Sequence, residues 1–238
     1  MTDRPVGAPV TGWQAPPRPG PDRIEGRHAL LERLSDAHAA ALFDAFQGHD
    51  WVWDYMPVGP FASFAAFRAW LTSAASGDDP LFYAIRDRAG GAPTGVASFL
   101  RIDPGAGSIE VGFIAMSPAL QRTRAATESI YLMMQWAFDA GYRRFEWKCD
   151  ALNAPSRRAA RRFGFVFEGV FRQATIVKGR NRDTAWFSVI DRDWPALRSS
   201  YATWLDPANF DTHGQQQHRL SDLTAPLVAA GEAEMRKF

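Results

Sequence analysis

Residues 108–165 read SIEVGFIAMSPALQRTRAATESIYLMMQWAFDAGYRRFEWKCDALNAPSRRAARRFGF, and their pattern decides the fold. Ser108–Met116 alternates as a strand, with Ile109, Val111, Phe113 and Ala115 expected on one face and Glu110, Gly112, Ile114 and Met116 on the other. Ser117–Arg124 is a polar turn. Ala125–Ala140 then carries Ala126, Ile130, Met133, Met134 and Ala137 at helical spacing, and Gly141 suits a left-handed helix end. A second strand is predicted over Arg143–Asp150, and Asn153 opens an Arg-rich helix that stops at Gly164. Two helix starts thus follow directly on two strands. Helix N-termini carry unpaired N–H groups and partial positive charge, so the pattern describes a site for a long phosphorylated ligand.

Working outward, Leu81–Arg88 and Thr94–Ile102 precede this stretch as strands, and Gly90-Gly91 and Pro104-Gly105 supply tight connections. With Ser108–Met116 they form an antiparallel meander. Upstream, Arg27–Leu34 alternates, Ser35-Asp36 caps a helix over Ala37–Phe46, and Phe61–Ala75 is a second helical run. Downstream, Phe167–Val177 and Thr184–Asp191 are strands joined by Lys178-Gly179-Arg180-Asn181. The fold class expected is α/β, a mixed and mostly antiparallel sheet flanked by helices. Pro5, Pro9, Pro16, Pro17, Pro19 and Pro21 make residues 1–25 a disordered or extended arm. Residues 26–205 form the expected domain, and 206–238 an extension: a helix over Ala196–Trp204 leads into an irregular polar stretch with an apolar end.

Composition narrows the function classes. Lys+Arg number 27 against Asp+Glu 26, a net charge of +1 without the basic excess of a nucleic-acid binder. Cys149 is the one cysteine, which excludes an internal disulfide, and its place in an alternating strand reads as a buried, inert thiol. No stretch reaches the roughly 20 apolar residues of a membrane span. A cytoplasmic protein without membrane or nucleic-acid partners is expected. His213 and His218 have poor zinc spacing, no phosphate-loop or nucleophile-elbow motif occurs, and no metal is expected.

Candidate chemistry gathers at three places. Glu110 sits mid-strand beside Gly112 on a largely apolar face, and is read either as a general base perturbed by burial or as a sheet-edge carboxylate in solvent. Arg122 and Arg124 add charge to a helix start kept slim by Ala125 and Ala126. Asn153 and Ser156 open the second helix, either as a plain cap or as cleft groups, with Arg157, Arg158, Arg161 and Arg162 on a basic face.

Ser108–Phe165 resembles the acyl-CoA core of the GCN5-related N-acetyltransferases, and within them the ribosomal-protein N-acetyltransferase-like (RimJ/RimL-type) branch. That family carries Q/R-x-x-G-x-G/A in the turn before the helix, and its backbone N–H groups hold the coenzyme A pyrophosphate. Here the positions read Gln121, Arg122, Thr123, Arg124, Ala125 and Ala126, with arginine in place of the first glycine. The Asn153-x-x-Ser156 and Phe163-Gly164-Phe165 elements also fit the branch. The resemblance implies a fold whose strands splay to hold acetyl-CoA, or another acyl-CoA such as succinyl-CoA, against Ile114, Ala115, Met116, Asn153, Ser156 and Arg157. It implies acyl transfer to an amine acceptor, a protein N-terminus or a small aminated metabolite, with Glu110 as base. Ala160 stands where many members carry an acidic tyrosine, so Ser156 is the expected donor to the leaving thiolate. Trp51, Trp53, Asp54 and Tyr55 border the implied acceptor groove, and each aromatic among them is read equally as core packing under a loop. A homodimer is compatible with these features, and a catalytically silent acyl-CoA sensor is the rival reading.

Overall fold

The computed structural model describes Arg4 and residues 6–236. Its strands are β1 (Arg23–Glu25), β2 (Ala29–Arg33), β3 (Leu81–Asp87), β4 (Pro93–Asp103), β5 (Ser108–Met116), β6 (Arg144–Asp150), β7 (Val166–Val177) and β8 (Arg180–Ile190). They form one sheet in the order β1-β2-β3-β4-β5-β6-β8-β7. Short turns make most pairs antiparallel. The β5–β6 pair is parallel, because α3 (Arg124–Asp139) crosses over between them. The expected mixed, mostly antiparallel sheet is therefore present.

Hydrophobic alternation dictates the layers. Tyr83, Ile85, Phe99, Ile109, Val111 and Phe145 face α3, whose buried Ile130, Met133, Met134 and Ala137 were legible as a stripe. Phe82, Ala84 and Val96 face the other way, toward α1 (Ala39–Phe46) and α2 (Phe64–Ala75), where Leu42, Phe46, Trp53, Phe67 and Leu71 complete a second core. At roughly 25 cal/mol per Å² of apolar area removed from water, these two cores are the main source of stability. α4 (Ala154–Arg162) and α5 (Trp194–Leu205) extend the α3 layer. Gly164 ends α4 at φ 90°, and a Cβ there would lie 2.5 Å from Leu197 Cδ1, so both backbone and packing require glycine.

Three differences from the sequence reading have physical causes. In β5 the alternation breaks at a bulge: Ser98 pairs with Gly112 and Val96 with Ala115, so Phe113 and Ile114 together oppose Ala97. The extra residue transfers Phe113 and Ala115 to the α1/α2 core and turns Ile114 and Met116 toward α3, the reverse of strict period-2 reading. The apolar chain end is a helix, α6 (Leu220–Met235), despite Pro226 in its interior. It packs on α4 and β7, and Thr224 Oγ1 donates to the Arg162 carbonyl at 3.1 Å. Around Pro16–Pro21 the proline-rich arm packs on the domain: Tyr142 and Tyr83 hydroxyls donate to the Pro17 and Pro21 carbonyls at 3.0 and 2.9 Å.

Candidate active site

β5 and β6 are paired only from Ser108↔Arg144 to Val111↔Trp147 and then diverge. The bulge is the local cause. Phe113 adopts φ 48°, a strained value for an aromatic residue, and swings β5 away from its parallel neighbour. Between the strands lies a cleft of about 170 Å³ whose walls include Glu110, Gly112, Ile114, Trp147, Lys148 and Ser156.

Both helix starts open beside this divergence. Thr123 caps α3 by accepting the Ala126 N–H at 3.0 Å, and Gln121 Nε2 donates to the Met116 carbonyl at 2.9 Å, which ties the turn to the end of β5. Arg122 takes φ 63°. Among the described residues, the N–H groups of Arg122, Arg124 and Ala125 have no acceptor. Ala125 and Ala126 are buried and add little bulk. The Arg124 guanidinium lies 4.4 Å from the Phe210 ring centroid, so the arginine that replaces glycine sends its charge toward the C-terminal segment while its N–H stays free. These donors suit a phosphate group.

At α4, Asn153 Oδ1 accepts the Ser156 N–H at 3.0 Å, the cap expected from sequence. Ser156 Oγ accepts from the Trp147 indole at 3.0 Å, which leaves the hydroxyl proton free for another acceptor. Beside it, burial pushes the Cys149 thiol above its ordinary range, consistent with an inert group. The arginine face is mostly spoken for. Arg157 donates to the Ala151 carbonyl, Arg161 pairs with Glu232 at 2.7 Å, and Arg162 donates to Thr127 Oγ1 at 3.1 Å.

The floor of the cleft is ionic. Strand register sets Glu110 against Glu146, and Lys148 lies between the two carboxylates at 2.9 and 2.7 Å. Lys148 is 6% exposed and also sits 3.7 Å from the Trp186 ring centroid. Arg101 adds a second cation to Glu110 at 2.8 Å, reaching it from a bulge in β4 at φ 47° whose N–H groups are held by Asp79. Burial alone would raise the Glu146 carboxyl, but bonds from Arg144 and Lys148 outweigh it and hold it below the usual carboxylate range. Glu168 behaves likewise through Arg144 and Ser188. The result is a pre-organised chain of charges beneath Glu110, which lines the cleft together with Asp150. None of the cations was singled out from sequence. The alternation Arg144, Glu146, Lys148, Asp150 on one face of β6 was the available signal.

The acceptor-side residues separate. Tyr55 lines the cleft, and its hydroxyl donates to the Leu152 carbonyl at 3.4 Å across the opening. Trp53 is 2% exposed and packs edge-on against Phe46 and Phe61, so it belongs to the second core instead of to a groove wall; its carbonyl receives Lys178 Nζ at 2.7 Å. Trp51 and Asp54 are exposed and outside the cleft lining. Ala115 is buried in the second core, and Ile114 lines the cleft. Among the described residues no cluster of metal-ligating side chains occurs, and no helix is long and apolar enough to cross a membrane.

Comparison with known proteins bears on the family and the fold. A family model described as an acetyltransferase (GNAT) domain matches residues 28–166. A crystal structure of a GCN5-related N-acetyltransferase from Brucella melitensis is 47% identical, with TM-score 0.88, covering 91% of this chain and 100% of that one. A GNAT-family structure from Chromobacterium violaceum ATCC 12472 is 41% identical, with TM-score 0.77 and coverage of 81% and 98%. An acetyltransferase from Salmonella typhimurium that modifies the N-terminal serine of ribosomal protein L7/L12 is similar in fold alone, at 23% identity, TM-score 0.61 and coverage of 71% and 98%. No curated protein matches the sequence.

Proposed function

The chain belongs to the GNAT acetyltransferase family, and from that premise we propose that it transfers acetyl from acetyl-CoA to a primary amine, in the manner of the ribosomal-protein N-acetyltransferase-like branch. The observation that carries this reading is the placement of Glu110 and Ser156 in one cleft, at the divergence of β5 and β6, next to a helix start with free N–H groups. Acetyl-CoA, when bound, supplies an activated thioester. The N–H groups of Arg122, Arg124 and Ala125 would hold its pyrophosphate, with the exposed Arg122 side chain adding charge. Ile114 and Asn153 line the adjoining cleft, and the proposed cofactor path continues past Met116 and Arg157.

Two protons must move as the new C–N bond forms and the C–S bond breaks. Glu110 takes one from the amine nitrogen, and its carboxylate is held in place by Lys148 while the exposed Arg101 can swing aside. Ser156 Oγ, fixed by the Trp147 indole, holds the other for the departing sulfur. A free α-amine, with pKa about 7.7–8.0, is neutral in roughly a tenth to a third of molecules near neutral pH, against fewer than ~0.1% for lysine. Assistance of roughly 10²–10⁴-fold from one base suits an α-amine or small amine best.

Calorimetric titration with acetyl-CoA, succinyl-CoA and free CoA tests the donor, with Arg122→Ala as control. Micromolar binding of acetyl-CoA, weakened in the control, supports the reading. Preference for succinyl-CoA would change the donor, and binding without turnover of any amine would leave a sensor.

A further inference from the structure

Resting on the acyl-transfer reading, the structure assigns a second recognition group to the cleft. We propose that Arg182 binds a carboxylate on the amine acceptor, so that the enzyme prefers amines bearing an acidic group.

Arg182 lies on β8 opposite Thr175, and its side chain forms part of the cleft wall with Glu110, Tyr55 and Ser156. Its Nε is buried and without a hydrogen-bond partner. Among the described residues the guanidinium makes no ion pair, and its one near neighbour with a thiol, Cys149, is kept neutral by burial. The other cations at the cleft are matched. Lys148 is shared by Glu110 and Glu146, Arg101 is paired with Glu110, and Arg157 donates to a carbonyl. Of the carboxylates close in sequence or in the wall, Asp150 lines the same cleft without an ion pair to Arg182, its Oδ1 accepting the Leu152 N–H, and Asp183 Oδ1 accepts from Gln173 and Asn181.

A partly buried cation with an orphaned donor is costly unless something fills it, and guanidinium geometry matches a carboxylate bidentately. Glu110 and Arg182 in one cleft thus offer an acid–base pair of opposite sign to the two ends of a zwitterion. Val52, Tyr55 and Met56 provide an apolar wall for the atoms between. The cleft, about 170 Å³ and open to solvent on one side, is below the roughly 300–1,000 Å³ of drug-sized pockets, so a small acceptor or only the end of a peptide enters.

The test compares ω-amino carboxylates of increasing length with alkylamines of matched length, and the dipeptide amide Gly-Asp with Gly-Asn, on the wild type, Arg182→Gln and Arg182→Lys. The wild type is expected to favour the acidic member of at least one pair by about 10- to 100-fold in kcat/KM. Arg182→Gln should erase that preference through KM, with kcat and acetyl-CoA affinity little changed, and Arg182→Lys should restore part of it. The pair that shows the preference tells a free amino acid from an acidic peptide. Absence of a preference in the wild type, or an equal loss on both members of each pair, overturns the proposal. Calorimetry with the same ω-amino carboxylate series separates failures. Binding that depends on Arg182 without turnover of any amine would sustain the anion site and remove the acyl-transfer reading. Turnover without acid preference would do the opposite.

Discussion

Glu110→Gln probes the centre of the chemistry with little disturbance of shape. The amide fills the same volume, Lys148 keeps Glu146 at 2.7 Å, and Arg101, already 59% exposed at its side chain, is released to water. Two charge-assisted bonds are weakened; the exposed Arg101 pair adds little, so the stability cost is mainly that of the buried Lys148 bond, about 1.5–3 kcal/mol, out of a typical total of roughly 5–15. The catalytic cost is larger. A general base supplies roughly 10²–10⁴-fold, which at about 1.36 kcal/mol per decade is about 2.7–5.4 kcal/mol of barrier. The variant must instead rely on amine that is already neutral. Its residual rate should climb about six- to tenfold from about pH 7 to 9 along the α-amine titration. The assay is steady-state turnover of the best amine between those pH values, with thiol release as readout, beside acetyl-CoA calorimetry and urea unfolding on the same samples. Retention of more than about a third of wild-type kcat/KM with a flat pH profile would refute the base role. A parallel collapse of acetyl-CoA affinity would relocate the effect from proton transfer to the fold.

Lys148→Met leaves Glu110 and Glu146 in register without their shared cation, and should cost about 3–5 kcal/mol in urea unfolding, with Glu146→Gln added to it recovering part. Glu128 is buried on α3 and accepts the N–H groups of Arg27, His28 and Ala29. Glu128→Gln can keep at most part of that set, so a loss of about 1.5–3 kcal/mol is expected in the denaturation midpoint at constant slope. Burial pushes the Tyr83 phenol up to about 12. The folded state thus keeps its proton where the unfolded chain, with pKa near 10, gives it up. This stability is complete below about pH 10 and declines by about 1.4 kcal/mol per pH unit up to the folded value. Tyr83→Phe should flatten that alkaline decline in a pH series of urea melts, at the cost of the 2.9 Å bond to Pro21.

What could be read along the chain is what neighbouring residues decide. Alternation placed the central strands, and the stripe from Ala126 to Ala137 placed α3. Asn153 announced its cap because an Asx side chain bonds its own helix start. The motif at Gln121–Ala126 pointed to a turn with free N–H groups even with arginine in a glycine position, since those groups belong to the backbone and the Arg124 side chain turns to Phe210. The helix α6 was not legible: its sequence carries Pro226 and little periodicity, and it forms because α4 and β7 offer a surface to cover. Trp53 looked like its neighbours Trp51 and Tyr55 in sequence, and only the aromatic cluster around Phe46, Phe61 and Phe67 draws it inward. The bulge at Phe113–Ile114 depends on β4 having one residue where β5 has two, a count that exists only between strands.

By itself, then, the sequence determined an α/β sheet with two helix starts and a carboxylate between them, because propensity, capping and hydrophobic period act within a few residues. Tertiary structure decided the rest. That Glu110 is buried between Lys148 and Arg101, and that among the described residues Arg182 is the cleft cation without a partner, follow from burial, strand register and the reach of side chains far apart in the chain.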